Sequence, residues 1–373
     1  MSHHQPDSVP QYMRAWTFSR QGSAEQVLQL SEQHPTPTLR SDTSVLIRVT
    51  HVSLHPGTTI MMNFVPFFFR KAPSIAETDF AGVIISAGQA VPVTPSPPNE
   101  HRYFPPGTAV FGSISVGSHL KGAGALAEYL VVEMHSIARK PPNISFAQAA
   151  ALPVSGATAL TLMDAAGVQP GDRVLINAPC GGIGHFVTQL VSQAVSKNGY
   201  IVGRCSAASF ETAKALGCND VVSYSSAAER DSSSSVGIGE AFDKVIDAHG
   251  SQDLWHSSPG ILKAGLDHAY TSVGPVLSSY TYRDMLLCVL RMGVNAFLPA
   301  WAGGVNRGYR QVTSIVDSDK LERLRQLCGA DQLTVLVGGT WAFEDALQAF
   351  EVLRGKHARG KLVICVAEPS LLG

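Results

Sequence analysis

The chain has 373 residues, 45% of them hydrophobic and 15% charged, which is apolar material for a large core and length for two domains. A formal net charge of −1, with no Lys/Arg run longer than two residues, lacks the positive footprint that grips a polyphosphate backbone and argues against a nucleic-acid partner. The start "MSHHQPDSVPQYMRAW" has no apolar signal core and no apolar run reaches the ~18 residues of a bilayer span, so a soluble, cytoplasmic protein is expected.

From residue 12 to about 155 the pattern is strand-like, with "SVLIRVTHVSL", "DFAGVIISAG", "GTAVFGSIS" and "GALAEYLVVE" as short β-rich runs broken by Gly and Pro. "VPVTPSPPNEHRYFPPG", 91–107, reads as a surface loop, and the whole segment as an irregular, mostly antiparallel β-domain. From about 156 strands alternate with helices: "RVLINA", "GGIGHFVTQLVSQAV", "YIVGRC", "FETAKALG", "DVVSY", "FDKVIDA" and "HAYTSVG" predict βαβ units and a parallel sheet. "AAERDSSSSVGIGE" interrupts them as a low-complexity loop. After about 320, "DKLERLRQL", "TVLVGGTW", "FEDALQAFEVLRG" and "GKLVICV" suggest a return to the first domain. Cys180, Cys205, Cys218, Cys288, Cys328 and Cys365 all fall in the second half with no C-x-x-C pair, supporting neither a disulfide framework nor a zinc knuckle.

"LINAPCGGIGHF", 175–186, places glycines where an apolar strand gives way to a helix. On the dinucleotide template G-x-G-x-x-G it reads Pro179, Cys180, Gly181, Gly182, Ile183, Gly184, so positions three and six survive. Without Cβ atoms at Gly181 and Gly182, backbone N–H groups can approach a pyrophosphate, favoured by the N-terminus of a helix beginning near Ile183, while Gly184 lets that helix pack on the strand. A tight turn with no ligand is the competing reading. Cys180 sits where a thiol pKa can fall, but no base is identified for it and small-residue packing is the better account.

About 20 residues on, an NAD site offers a carboxylate to the ribose. Here the chain reads "GRCSAAS", where Arg204, Ser206 and Ser209 are donors with no acid to repel a 2′-phosphate, so NADPH is the expected cofactor. Tyr224 either reaches that phosphate or is an ordinary strand-end tyrosine.

The run "ALPVSGATALTLMDAAGVQPGDRVLINAPCGGIGHFVTQL" resembles the medium-chain dehydrogenase/reductase superfamily, in its zinc-independent quinone oxidoreductase and enoyl reductase branch. "SLHPGTT", "ETDFAGVIISAG", "PPGTAVFG", "GALAEYLVV", "GCNDVVSY" and "GKLVICV" follow in the family's order, so the resemblance covers nearly the whole chain. It implies an α/β fold with a GroES-like β-rich catalytic domain, 1–155 and 325–373, joined to a Rossmann doubly wound parallel-sheet domain, 156–324, with the active site between them. It also implies homodimers paired through a sheet edge, for which "HAYTSVGPVLSS" is the candidate. Thr158 joins the expected cofactor-binding residues, as do His249, Gly250 and Gly274 at strand ends.

Zinc-dependent relatives carry a Cys after the second strand and a later His-Glu pair. Here "LHPGTT" has no Cys, Thr78 and Asp79 occupy the His-Glu positions, and no metal is expected because the donors of catalytic zinc cannot be assembled. Without a Lewis acid the reaction that fits is hydride addition to an activated C=C of a small lipophilic enone, quinone or enoyl ester. His55 stands where relatives read Asn in S-x-N-P; it either donates a proton or hydrogen bond to the enolate, or only shapes the bend before Pro56. No tyrosine follows in "TTIMMNFVPFFFRKAPS", which weakens a thioester substrate. Phe64, Phe67, Phe68 and Phe69 are either core or an aromatic substrate wall, and Tyr280, Tyr282, Met285 and Trp301 are candidates for its opposite side. A nucleotide-binding sensor or structural protein with little reductase activity, or a different reaction on a biosynthetic intermediate, remains an alternative.

Overall fold

A computed structural model describes residues 9–96, 101–224, 240–265, 267–356 and 358–368. Residues 97–100 of the Pro-rich loop, and the low-complexity run apart from Glu240, lie outside the described residues.

Eight strands precede the glycine loop: β1 (Tyr12–Phe18), β2 (Gln29–Pro35), β3 (Ser44–Ser53), β4 (Ser74–Ile75), β5 (Asp79–Ala87), β6 (Ala109–Ser113), β7 (Tyr129–Glu133) and β8 (Ile137–Arg139). Six form the middle of the chain: β9 (Arg173–Asn177), β10 (Tyr200–Cys205), β11 (Asp220–Ser223), β12 (Lys244–Asp247), β13 (Ala269–Ser272) and β14 (Gly308–Gln311). Two close it, β15 (Val337–Ala342) and β16 (Lys361–Cys365).

β3 is buried along nine of its ten residues, which is why "SVLIRVTHVS" reads as a near-continuous apolar run: it lies in the interior of its sheet, paired with β5, β7 and β16. β16 pairs antiparallel with β3, Val363 opposite Ser53, so the last strand returns to the N-terminal sheet, whose order is β15-β16-β3-β5-β6-β8. A smaller sheet runs β2-β1-β4.

The middle strands make one parallel sheet ordered β11-β10-β9-β12-β13-β14, the doubly wound Rossmann arrangement whose switch point falls between β9 and β12. Its edge differs from expectation. The strand of "HAYTSVG" is interior, because the four-residue "GYRQ" of β14 pairs alongside it; a run this short and polar carries no periodic signal. The helix Pro153–Ala166 packs on the parallel sheet with its face of small residues, begins with Pro at N1 and stops at Gly167, whose left-handed φ of 59° closes its last turn. Among the described residues no helix is long and apolar enough to cross a membrane.

Candidate functional site

β9 ends at Asn177, the chain turns through Ala178 at φ 60°, and the helix Gly184–Val195 begins after the glycines. A Cβ on Gly184 would lie 1.8 Å from the Ala178 carbonyl oxygen, so only glycine lets this helix start so close to the strand. Gly182 faces the returning strand, where a Cβ would sit 3.3 Å from the Lys361 side chain, and the Gly360 N–H donates to the Cys180 carbonyl at 2.8 Å. Pro179 and Cys180 point toward β10 instead. A Cβ on Gly203 would lie 3.0 Å from the Pro179 ring, and the Cys180 thiol donates to the Ser209 carbonyl. Contact with Cys205, then burial, pushes the Cys180 thiol up, which bars a thiolate role.

At the end of β10 the Arg204 guanidinium donates to Asn177 Oδ1 at 2.9 Å and lies 5.3 Å from the centre of the Tyr224 ring, while the Ser206 and Ser209 hydroxyls are 3.2 Å apart. These four expected residues are therefore neighbours. Thr158 spends its hydroxyl on the Val154 carbonyl, inside its own helix.

His249 and Gly250 are held by a residue that sequence reasoning missed. Asp247, fully buried at the end of β12, accepts from the backbone N–H groups of His249, Gly250 and Ser251, from Asn177 Nδ2 and from the Tyr270 hydroxyl. Gly250 and Gly274, at φ 94° and 97°, meet back to back: a Cβ on Gly250 would lie 1.9 Å from the Gly274 oxygen. The N–H groups of His249, Gly250 and Ser251 are spent on Asp247, so what fits a dinucleotide at the switch point is the close backbone approach allowed by the loop glycines and by Gly250 and Gly274.

His55 caps the helix Pro56–Phe64, and its Nε2 lies 2.8 Å from Thr78 Oγ1. Burial, then the charge of Lys361 and the proximity of His119, push its pKa down to about 3, so it is a neutral imidazole and not a charged acid at neutral pH. Around it is a buried charged cluster that sequence reasoning also missed. Lys361 Nζ donates to the Leu54 carbonyl at 2.8 Å, and burial lowers its pKa against the pull of Asp79 and Glu77. Burial pushes Glu77 up to about 8 and Asp79 up to about 6, each opposed by Lys361 among others.

Glu77 sits at φ 62°, a left-handed backbone for a non-glycine residue. Thr58 Oγ1 is 2.7 Å from its Oε1 and 2.8 Å from the His55 carbonyl. The Thr58 hydroxyl donates toward both oxygens, a shared contact that favours the charged carboxylate and opposes the effect of burial on Glu77. Asp79 accepts the Val154 N–H at 3.0 Å, placing its carboxylate at the N-terminus of the helix Pro153–Ala166. Thr78 and Asp79 are thus occupied with His55 and a helix end. A hydroxyl and a helix-capping carboxylate without a thiolate do not fit a catalytic zinc ion. Among the described residues no group of three His, Cys, Asp or Glu side chains could hold a metal. Glu77 and Lys361 were within quoted motifs, "ETDFAG" and "GKLVICV", but nothing in a single sequence marks a residue as buried beside one 284 positions away.

Of the aromatic set, Phe64 meets Tyr280 at 6.5 Å and Tyr282 at 5.5 Å between ring centres, and Tyr282 accepts a hydrogen bond from Gln21. Met285 is half-buried on the same helix, Tyr282–Phe297. Phe68 and Phe69 meet at 4.1 Å between ring centres with their planes tilted by 48°, and are 80% and 67% exposed, so they are not core; the Phe67 side chain lies outside the described set. Trp301, 90% exposed on a turn after that helix, makes no ring contact with the cluster.

A glycine loop at the switch point of a doubly wound sheet, met by a strand that returns to the N-terminal sheet, is the layout of a dinucleotide-binding enzyme fold. Residues 216–364 match the zinc-binding dehydrogenase family profile. Over 375 residues the chain is 30% identical to the medium chain reductase pydE of Acremonium sp, across 94% of this chain and 98% of that protein. It is 25% identical to the trans-enoyl reductase poxH of Penicillium oxalicum, across 95% and 98%. Its fold superposes on the quinone oxidoreductase from Coxiella burnetii with a TM-score of 0.72 and 28% identity, covering 95% of this chain and 99% of that one. The chain belongs to the medium-chain reductase family, whose members work with nicotinamide cofactors.

Proposed function

We propose that this protein is an NADPH-dependent, metal-independent reductase that saturates an activated C=C bond of a small lipophilic molecule. The observation that carries the reading is Thr78: where a metal-ligating histidine would stand, a hydroxyl holds His55 at 2.8 Å. The nicotinamide, when bound, supplies the hydride. Thr78 donating to Nε2 leaves the proton of neutral His55 on Nδ1, free to hydrogen-bond a substrate carbonyl whose oxygen gains charge. Lys361 adds positive potential beside that oxygen, balanced by Asp79, while neutral Glu77 adds none. The α-carbon takes its proton from solvent, since no charged acid faces it. The acid-free group of Arg204, Ser206, Ser209 and Tyr224 supports NADPH over NADH.

NADPH offered with a panel of enones and quinones is expected to lose its nicotinamide absorbance. Arg204→Ala should raise KM for NADPH about tenfold and leave that for NADH unchanged, and His55→Ala should lower kcat about a hundredfold. Tight NADPH binding with no turnover across the panel would instead support the non-catalytic sensor.

The protein acts as a homodimer in this reading. Among the described residues β14 is the last strand of the parallel sheet, and the helix leading toward it turns Leu286, Leu290 and Phe297 outward, with Trp301 exposed beyond its end. Sedimentation velocity should give a dimer for the native chain and a monomer for Leu290→Glu; a native monomer at micromolar concentration refutes it.

A further inference from the structure

A cleft of about 580 Å³ opens in the β-rich unit, bordered by β2 and the segment after it, by residues flanking β4 and by the turn after the short helix Val116–Leu120. Neither His55 nor any residue of the glycine loop borders it, and its size is that of a small-molecule pocket. Part of its lining is apolar and comes from the buried residues Met13, Ile75 and Ile114. Every residue with a full charge on its walls is basic: Arg40, Lys71 and Lys121, all exposed to solvent. The whole chain has 28 lysines and arginines against 29 acids, so three cations without an acid are a local feature and not a reflection of composition.

The two lysines stand on adjoining backbones. The Lys71 N–H donates to the Leu120 carbonyl at 3.0 Å, and a Cβ on Gly122 would lie 3.6 Å from Lys71 Cβ. His34 of β2 adds an imidazole, which burial and then the Lys71 charge keep neutral by lowering its pKa. No ion pair among the described residues uses Arg40, Lys71 or Lys121, so their charge is left for an incoming anion.

The cleft also adjoins the backbone that holds the proposed reaction centre. Ile114 donates its N–H to the Thr78 carbonyl at 3.0 Å, and Ala125, one residue past the lining Gly124, donates to the Glu77 carbonyl at 2.9 Å. Thr78 and Glu77 are the residues whose side chains meet His55 and Thr58.

We propose that this cleft is an effector site for a small amphipathic anion, a phosphate or carboxylate head on an apolar body, with Arg40, Lys71 and Lys121 taking the oxyanion and Ile75 and Ile114 the apolar part. An occupant that shifts Ile114 or the Gly124–Ala125 segment moves the carbonyls of Thr78 and Glu77 with it, so its effect falls on kcat. Binding stands without the reductase reading; the effect on turnover rests on it.

The test titrates the full chain by calorimetry with phenyl phosphate and phenylacetate, against benzyl alcohol and inorganic phosphate as the apolar body and the head alone. At least one of the two amphipathic anions should bind saturably and more tightly than either control. Lys71→Ala with Lys121→Ala should weaken it by at least about tenfold, and Lys71→Arg with Lys121→Arg should retain it, both with the native urea midpoint. Saturating anion should change kcat for an enone by at least about twofold in the native enzyme and not in the double alanine variant. Binding of both anions makes any oxyanion head sufficient, while binding of phenyl phosphate alone makes the phosphate the recognised group. No saturable binding, equal binding by the double alanine variant, or benzyl alcohol binding as tightly overturns the site. So does binding that Arg204→Ala abolishes, because the probe then sits in the cofactor site. A bound anion that leaves kcat unchanged overturns the effector role. A chain that binds the anion through these lysines and reduces no enone keeps the site and removes the reductase reading.

Discussion

Asp247→Ala is expected to destabilise the protein by about 3–5 kcal/mol and to weaken NADPH binding by at least about tenfold. The carboxylate is fully buried, and the donors that reach it among the described residues are neutral ones. The three successive N–H groups of His249, Gly250 and Ser251 reach it at 3.0, 2.9 and 2.7 Å, Asn177 Nδ2 at 2.7 Å and the Tyr270 hydroxyl at 2.6 Å. Alanine leaves all of these without an acceptor in a site closed to water, and unpaired buried donors are what make such substitutions costly.

The loss travels further, because Asn177 is also the acceptor for Arg204. Freed from Asp247, its amide no longer fixes Arg204 at the end of β10, and Gly250 no longer keys against Gly274. Asp247→Asn retains one acceptor oxygen and should lie between. Urea unfolding and NADPH titration are the two readouts. Stability within about 1 kcal/mol of native, with unchanged cofactor affinity, contradicts the account.

What was legible in the sequence was local. The glycine loop, the strand before it and the helix after it are contiguous, so their pattern survives in one dimension, and the polar end of β10 follows at a fixed distance. The charged cluster was not legible, since its members come together only through pairing of distant strands: Ser53 opposite Asp79, and Val363 opposite Ser53. Those two registers bring Lys361 beside His55 and the Glu77–Asp79 segment. The helix Pro56–Phe64 was hidden because "PGTTIMMNF" is rich in β-branched residues, and it is fixed by Pro at N1 and by tertiary contact. Asp247 looked like the tail of an apolar strand, "KVIDA", and its role depends on a turn that folds back over it. Pro179 and Cys180, odd as members of a phosphate loop, fill space against β10.

Stability should peak near pH 6.5 and fall on both sides, for opposite reasons. His55, His119 and His185 are held neutral, pushed down to about 3, about 4 and about 4, chiefly by burial. Unfolded, each binds a proton below its ordinary value of 6.5, so below that pH the unfolded chain gains protons that the folded chain refuses, and stability falls with acid. Glu77 acts in the reverse sense. Its folded value of about 8 exceeds the ordinary 4.5, so as pH rises through this window the unfolded chain releases a proton that the folded chain keeps. That contribution is complete below pH 4.5 and lost by the time pH passes 8. Asp79, pushed up to about 6, opposes the histidines on the acid side without overturning three of them. Above pH 6.5 Glu77 is the main group still titrating in this cluster, and the alkaline slope should approach but not exceed about 1.4 kcal/mol per pH unit. Glu77→Gln keeps the hydrogen bond to Thr58 through its amide and removes the proton. Denaturant unfolding from pH 5 to 8.5 should therefore show the native chain declining above 6.5 and the variant level there, with a steeper acid limb in the variant because Glu77 opposes the histidines down to its ordinary value of 4.5. An alkaline decline that persists in Glu77→Gln would show that burial does not hold this carboxyl protonated.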